Sequence, residues 1–133
     1  MNAEKFFKEM YRCIWQSQDL SKFDVFYAKD FEETVNVSDD QKQPIELQMG
    51  YDDLYKQALW QKENYRDTTI DIKKVVTGEG NYISVHFYST SIAKRTGELR
   101  HRCVCGIWRL NKENQINRVW AVVTPYYSLH SAS

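Results

Sequence analysis

The sequence contains little glycine and proline and has no excess of charge of either sign. Its 133 residues include five Gly and two Pro, while 14% are aromatic, and this composition excludes a disordered or collagen-like chain. Eighteen basic residues balance eighteen acidic ones, so the chain lacks the positive charge typical of proteins that bind duplex DNA or acidic membrane surfaces. We therefore expect neither nucleic acid nor a membrane among its partners.

Long apolar runs and a disulfide framework are also missing. No uncharged apolar stretch approaches the ~20 residues that a membrane-spanning helix needs. The three cysteines, Cys13, Cys103 and Cys105, have no disulfide spacing, which favours a reducing cytoplasm. The chain length and the 42% of hydrophobic residues predict a single domain, residues 1–133, around one core.

The N-terminal part of the chain has the periodicity of helices. Apolar residues recur at spacings of three and four from Ala3 to Gln18, which predicts one amphipathic helix. A short second helix is predicted between Ser21 and Asp30, followed by a strand over the alternating run 31–37. The polar segment 38–44 ends in Pro and predicts a loop, and a third helix is expected after Gly50.

The C-terminal half predicts four long strands joined by short turns, at 66–77, 81–92, 98–110 and 115–124. Short connections make neighbouring strands antiparallel, and long strands twist strongly. We therefore expect an α+β fold, in which three N-terminal helices pack on a strongly curved antiparallel sheet.

Alternation along these strands separates an inner from an outer set of side chains. Val104 and Trp108 fall on the inner side of the third run, whereas the outer set is too apolar for a face in water. An apolar patch of this kind marks an interface, so we expect a homodimer. The residues predicted in that interface are His86, Tyr88, Cys103, Cys105, Ile107, Trp120 and Val122.

Three stretches of the sequence follow the pattern of one superfamily. Residues 11–19 are similar to its first helix and the exit from it, and Phe26–Asp30 is similar to its F-x-A-x-D segment. Residues 108–111 and 115–120 are similar to its closing hairpin. On these residues the chain resembles the nuclear transport factor 2-like (NTF2-like) superfamily, with its polyketide-cyclase (SnoaL-like) and ketosteroid-isomerase branches, over roughly Glu4 to Pro125.

The resemblance implies a cystatin-like cone, in which the curved sheet and the helices enclose a pocket that is open at one end. It places Tyr11 at the first-helix tyrosine that donates to an oxyanion in the ketosteroid-isomerase branch, so Tyr11 is the candidate catalytic residue. The carboxylates of that branch do not carry over. The base position falls near Val35 or Asn36, and the oxyanion aspartate position falls on Gly106.

The acid/base pair of the polyketide-cyclase branch is absent too. The resemblance places its closing-strand Glu and Asp on Arg118 and Thr124. Glu32 and Glu33 are the nearby carboxylates, either at the rim of the pocket or, in the more ordinary interpretation, on a solvated strand edge.

We therefore expect a homodimer that binds a small apolar or aromatic ligand without the usual catalytic carboxylates, a cofactor or a metal. The predicted lining is Trp15, Asn36, Tyr55, Leu59, Phe87, Arg102, Val104, Trp108 and Val123. Arg102 either faces the pocket, where it suits a carboxylate or phosphate, or extends to water. The alternatives are a cyclase, isomerase or dehydratase that uses Tyr11 with an unidentified partner, and an association domain with a vestigial pocket.

Two further features of the sequence, a row of possible metal ligands and a C-terminal pair of tyrosines, do not assign a function. His101, Cys103 and Cys105 share one strand face, but side chains two residues apart are ~7 Å apart, whereas zinc ligands converge within ~2.0–2.3 Å of the metal. No metal site is therefore expected there. The segment Tyr126-Tyr127 lies over either the pocket mouth or the partner subunit.

Overall fold

The computed structural model describes residues 2–38, 44–124 and 127–128. Its helices are α1 (Ala3–Met10), α2 (Phe23–Phe26) and α3 (Tyr51–Asn64), with a π-helical segment (Tyr11–Gln16) after α1 and a 3₁₀ turn (Leu20–Lys22) before α2. Its strands are β1 (Tyr27–Ser38), β2 (Pro44–Gly50), β3 (Tyr65–Thr77), β4 (Tyr82–Ala93), β5 (Leu99–Leu110), β6 (Ile116–Val123) and β7 (Tyr127–Ser128). Within the described part of the chain, no helix is long and apolar enough to cross a membrane.

The predicted first helix exists but changes its winding halfway. The Asn2 side chain caps α1 by accepting a hydrogen bond from the backbone N–H of Lys5 at 3.0 Å. After Met10 the helix widens, and the N–H of Ser17 donates to the carbonyl of Arg12 at 2.8 Å, five residues back. Helical structure therefore ends at Gln16 and not at Gln18.

The second helix is shorter than predicted, and β1 begins earlier. Asp19, not Ser21, caps the turn by accepting a hydrogen bond from the N–H of Ser21 at 3.2 Å. The helix then stops at Phe26, because Tyr27 already pairs with Ile116 of β6. The sheet thus takes four residues that local sequence signals had assigned to the helix.

The sheet is mixed, with the strand order β2-β1-β6-β5-β4-β3. Strands β3 to β6 form the predicted antiparallel meander, and their bounds agree with the prediction within one residue. The pairing of β1 with β6 is parallel, which corrects the prediction of a wholly antiparallel sheet. Strand β2 was not predicted, and of the loop predicted at 38–44, residues 39–43 lie outside the described residues.

The inner face of the sheet, which packs against the helices, holds the core. Inward residues of β4 and β5 such as Val85 and Trp108 are buried, as their alternation predicted. Gly106 lies where β5 and β6 approach most closely, because a Cβ atom there would be 2.6 Å from the carbonyl oxygen of Trp120. A larger residue at this position would push the two strands apart.

Candidate functional site

A cavity of about 240 Å³ lies between the inner face of the sheet and the helices. Strands β1 to β6, α3 and the π-helical segment all contribute to its wall. Seven of the residues predicted for the site line it: Tyr11, Trp15, Phe87, Arg102, Val104, Trp108 and Val123. Trp15 and Trp108 border the space without filling it, which disfavours a vestigial pocket.

Three predicted lining residues are not part of the cavity wall. Asn36 lies on the opposite face of β1, because its neighbour Val35 takes the inward position. Tyr55 packs edge-on against Phe23, with ring centroids 5.2 Å apart. Leu59 is 38% exposed on the outer side of α3.

Tyr11 is the tyrosine that the π-helical segment directs into the cavity. Its ring lies 4.5 Å from that of Phe87, centroid to centroid. Its hydroxyl has no hydrogen-bond partner among the described residues, so it is available to a ligand. Burial, with the nearby Tyr27 and Glu33, raises the pKa of Tyr11 well above its usual value, so the phenol stays protonated and acts as a donor.

Tyr27 is a second tyrosine in the cavity wall, and two hydrogen bonds hold its hydroxyl group in place. The indole N–H of Trp15 donates to its hydroxyl oxygen at 3.1 Å, and that hydroxyl donates to the Met10 sulfur at 3.3 Å. Burial raises the pKa of Tyr27, which therefore also remains neutral. The π-helical segment thus supplies the available hydroxyl of Tyr11, and the start of β1 supplies the occupied hydroxyl of Tyr27.

Glu33 is the cavity residue whose setting the sequence left undecided. It lines the cavity from β1, in the inward register of Phe31 and Val35, while Glu32 is exposed on the other face. Burial raises the pKa of Glu33 to about 7, and the positive charge of Arg118 opposes part of this shift. Its carboxyl group makes no hydrogen bond to any described residue.

The signal for Glu33 was present in the sequence. Phe31, Glu33, Val35 and Val37 occupy one side of the alternating run, and the other three are apolar. The interpretation as a solvated edge holds for Glu32, which is exposed, and is wrong for Glu33, because Glu33 lines the cavity and β2, which was not predicted, pairs with β1 and removes that edge.

Comparison with solved structures identifies the fold. A candidate polyketide cyclase from Acidithiobacillus ferrooxidans superposes with a TM-score of 0.70 at 15% identity, covering 92% of this chain and 88% of that one. IdmH, a candidate polyketide cyclase from Streptomyces antibioticus, gives 0.71 at 13% identity and covers 92% of both chains. A Catenulispora acidiphila protein with a ketosteroid isomerase-like fold, solved with trimethylamine, gives 0.63 at 15% identity, covering 91% and 84%.

The chain has the NTF2-like fold. No family model and no curated protein matches the sequence. At these identities the likeness establishes the architecture, and the activity has to be argued from the site itself.

Three positions onto which the resemblance placed family carboxylates, Gly106, Arg118 and Thr124, have structural contacts here. Gly106 allows β5 and β6 to approach, as described above. The Arg118 guanidinium donates to the Thr34 hydroxyl at 2.9 Å on the outer face. The Thr124 hydroxyl accepts the backbone N–H of Cys103 at 2.9 Å. Glu33 therefore supplies a carboxyl group to the cavity from a position that neither branch pattern predicted.

The outer face of the sheet carries every residue that was predicted for a dimer interface. Ile107, Trp120 and Val122 are exposed there, and Tyr88 stacks on His101 with centroids 5.2 Å apart. The Cys103 sulfur lies 3.3 Å from the His86 Nε2. Of the predicted interface residues, five border a shallow groove on this face: His86, Cys105, Ile107, Trp120 and Val122.

The Cys103–His86 pair does not form an activated nucleophile. Burial raises the pKa of the Cys103 thiol, and the neighbouring Cys105 raises it further, so the thiolate is disfavoured at neutral pH. In the described part of the chain, no three His, Cys, Asp or Glu side chains are grouped closely enough to hold a metal ion. Of the Tyr126-Tyr127 segment, Tyr126 lies outside the described residues, while the backbone of Tyr127 pairs with His101 of β5.

Proposed function

We propose that the protein binds a small, mostly apolar carbonyl compound in the cavity and catalyses proton transfer at the carbon next to the carbonyl. The observation that carries this proposal is Glu33, a carboxyl group with a pKa of about 7 in the wall of an otherwise largely apolar cavity. A general base works best when its pKa lies near the working pH, and Glu33 meets that condition.

Tyr11 supplies the complementary group. Its buried, protonated hydroxyl has no described partner, and Glu33 is close enough to raise its pKa. A donor placed where negative charge develops stabilises that charge most in a site from which water is excluded. Tyr11 therefore acts as the hydrogen-bond donor to the substrate oxygen, in the role that the resemblance implied for it.

The proposed reaction needs only the substrate, Glu33 and Tyr11. The Glu33 carboxylate takes a proton from the carbon beside the carbonyl, and the C–H electron pair forms the carbon–carbon double bond of an enolate. The negative charge moves to the carbonyl oxygen, which accepts the Tyr11 hydrogen bond. Return of a proton from Glu33 to carbon completes an isomerisation, or an exchange of hydrogen with solvent.

Exchange of hydrogen for deuterium at carbon tests the proposal without knowledge of the natural substrate. 2-Octanone is incubated with the protein in D₂O, and loss of its α-proton signals is followed by NMR. We expect Glu33→Gln to abolish the catalysed exchange and Tyr11→Phe to slow it about 100-fold or more. Glu32→Gln, a neighbouring change on the exposed face, serves as the matched control and should exchange like the wild type.

Binding without turnover is the second candidate, and the apolar wall of the cavity favours it. It predicts that 2-octanone raises the melting temperature of the wild type and of Glu33→Gln equally, with no exchange in either. That result, or exchange that persists in Glu33→Gln, would overturn the catalytic proposal.

We also propose that the outer face pairs with a second copy of the chain. Trp120 and Val122 form an exposed apolar centre, and the groove beside them is bordered by Glu46 on β2 and Lys74 on β3. These two charges lie at opposite edges of the sheet. A twofold axis parallel to the strands brings each Glu46 opposite Lys74 of the second copy, and such complementarity favours this partner and this orientation.

Sedimentation of charge variants tests the pairing. Trp120→Glu should convert a dimer into a monomer at micromolar concentration, whereas Val25→Glu, on exposed α2, should not. Glu46→Lys and Lys74→Glu should each weaken the dimer and should restore it when the two variants are mixed. A wild type that sediments as a monomer at that concentration contradicts the proposal.

A further inference from the structure

We infer that the cavity has a second polar end, around Arg102 and Ser89, that binds a carboxylate, so that the substrate is an oxo acid with its ketone far from its acid group. This inference rests on the proposed function and specifies its substrate class. It follows from the positions of two charged groups and one hydroxyl on the cavity wall.

Arg102 and Glu33 are the charged side chains among the described residues that line the cavity. A guanidinium offers several N–H donors in a plane and matches the two oxygens of a carboxylate. The rest of the wall is mainly aliphatic and aromatic, which leaves an anion few other places to be solvated. The positive charge therefore decides where the acidic group of a ligand lies.

Ser89 provides a second donor at this end. It faces Arg102 directly across the β4–β5 pairing and is only 5% exposed. Its hydroxyl has no hydrogen-bond partner among the described residues, although it lines the cavity. A hydroxyl that is open to the cavity and has no described partner can donate to a bound anion.

The neighbouring polar groups are already paired and frame the subsite. The hydroxyls of Thr68 and Ser91 lie 2.7 Å apart, and both residues are buried. Gln61 approaches Ser91 from α3, with its amide nitrogen 3.5 Å from the hydroxyl oxygen. Ser89 thus stands out as the available hydroxyl beside the guanidinium.

The sheet register places Glu33 and Arg102 at opposite ends of the cavity. Glu33 is level with Val119, and Val119 is level with Trp108. Trp108 and Arg102 are six positions apart on β5, roughly 20 Å of strand at ~3.3 Å per residue, so one small ligand contacts both charged groups only when the long Arg102 side chain extends along the cavity toward Glu33. A ligand held at both ends must therefore be extended.

The volume restricts the ligand further. A cavity of about 240 Å³ equals the volume of about eight molecules of liquid water at ~30 Å³ each. A chain of some eight carbons with a ketone near one end and a carboxylate at the other fits this volume and the polarity of the two ends. 7-Oxooctanoate is such a compound.

Exchange kinetics with a matched pair of probes test the subsite. 7-Oxooctanoate and its neutral amide, 7-oxooctanamide, are compared in the D₂O exchange assay. We expect the acid to show a KM at least about tenfold lower than the amide, as a charge-assisted contact predicts. Arg102→Met should remove this preference, Arg102→Lys should keep part of it, and Ser89→Ala should reduce it. Arg109→Met, on the outer face of the same strand, should leave it unchanged.

The outcomes separate this inference from the proposed function. Equal KM values for acid and amide in the wild type, with 2-octanone still exchanged, overturn the carboxylate subsite and leave the catalytic proposal intact. A preference that survives in folded Arg102→Met also overturns it. Exchange of none of the three compounds overturns the catalytic proposal and the inference together.

Discussion

Side chains of the same type have different burial and different pKa values on the two faces of the sheet. On β1, Glu33 points into the cavity and has a pKa of about 7, whereas Glu32, the next residue, is exposed. On β5 and β6, Trp108 is 4% exposed beneath the helices and Trp120 is 36% exposed on the other side. Residue type therefore says little about the role of these side chains, and the register of the strand decides it.

The faces also differ in how their polar groups are satisfied. On the outer face Arg118 bonds to Thr34 and lies over the Trp120 ring, with its guanidinium carbon 4.4 Å from the ring centroid. On the inner face the Tyr11 and Ser89 hydroxyls have no described partner. Because other inner polar groups such as Thr68 and Ser91 are paired, these two hydroxyls are the inner-face groups that suit a ligand.

The largest effect is expected from removing the inner tryptophan. Trp108→Ala should lower the free energy of unfolding by about 3–5 kcal/mol, because it leaves a void beside Phe7, whose ring centroid is 5.5 Å away. Trp120→Ala should cost the monomer about 1 kcal/mol or less and should act mainly on association. Urea unfolding of both variants measures the contrast, and similar losses would contradict the division into two faces.

The next effect is a pH dependence that separates the two glutamates. Glu33 has a higher pKa in the folded protein, so the folded state binds the extra proton and stability falls as pH rises from about 4.5 to about 7. The loss amounts to at most about 3 kcal/mol at 1.36 kcal/mol per pH unit. Glu33→Gln should remove it, and Glu32→Gln should not. The free energy of unfolding at pH 5 and pH 8 checks this, and a wild type equally stable at both would contradict it.

The sequence predicted the meander, the division into two faces and seven of the residues that line the cavity, because alternation in a long strand is a local signal. It missed β2, the parallel pairing of β1 with β6 and the early end of the second helix at Phe26. The parallel pairing and the early helix end depend on β6, which is distant in the chain and overrides local propensity. Strand β2 pairs with β1, its neighbour in the chain, and the alternation of residues 45–49 was a local signal that the prediction passed over. Because β2 was not predicted, Glu33 was expected at a solvated edge of the sheet.

A smaller effect is expected at the inner hydrogen bond of the π-helical segment. Trp15→Phe removes the N–H that donates to the Tyr27 hydroxyl and should cost about 1 kcal/mol. Trp60→Phe, on exposed α3, is the matched control and should be near neutral. Thermal unfolding measures both. Equal effects would mean that the Tyr27 hydroxyl needs no partner beyond Met10.

The smallest effect tests whether the two faces communicate through the sheet. Arg118 lies on the outer side of β6, yet its positive charge lowers the pKa of Glu33 on the inner side of β1. Arg118→Met should therefore raise that pKa further and move the pH-dependent loss of stability, and the onset of exchange activity, to higher pH. Arg118→Lys keeps the charge and should shift neither. If Arg118→Met left both profiles in place, the carboxyl would be governed by its own burial alone, and the outer face could be redesigned without changing the chemistry of the cavity.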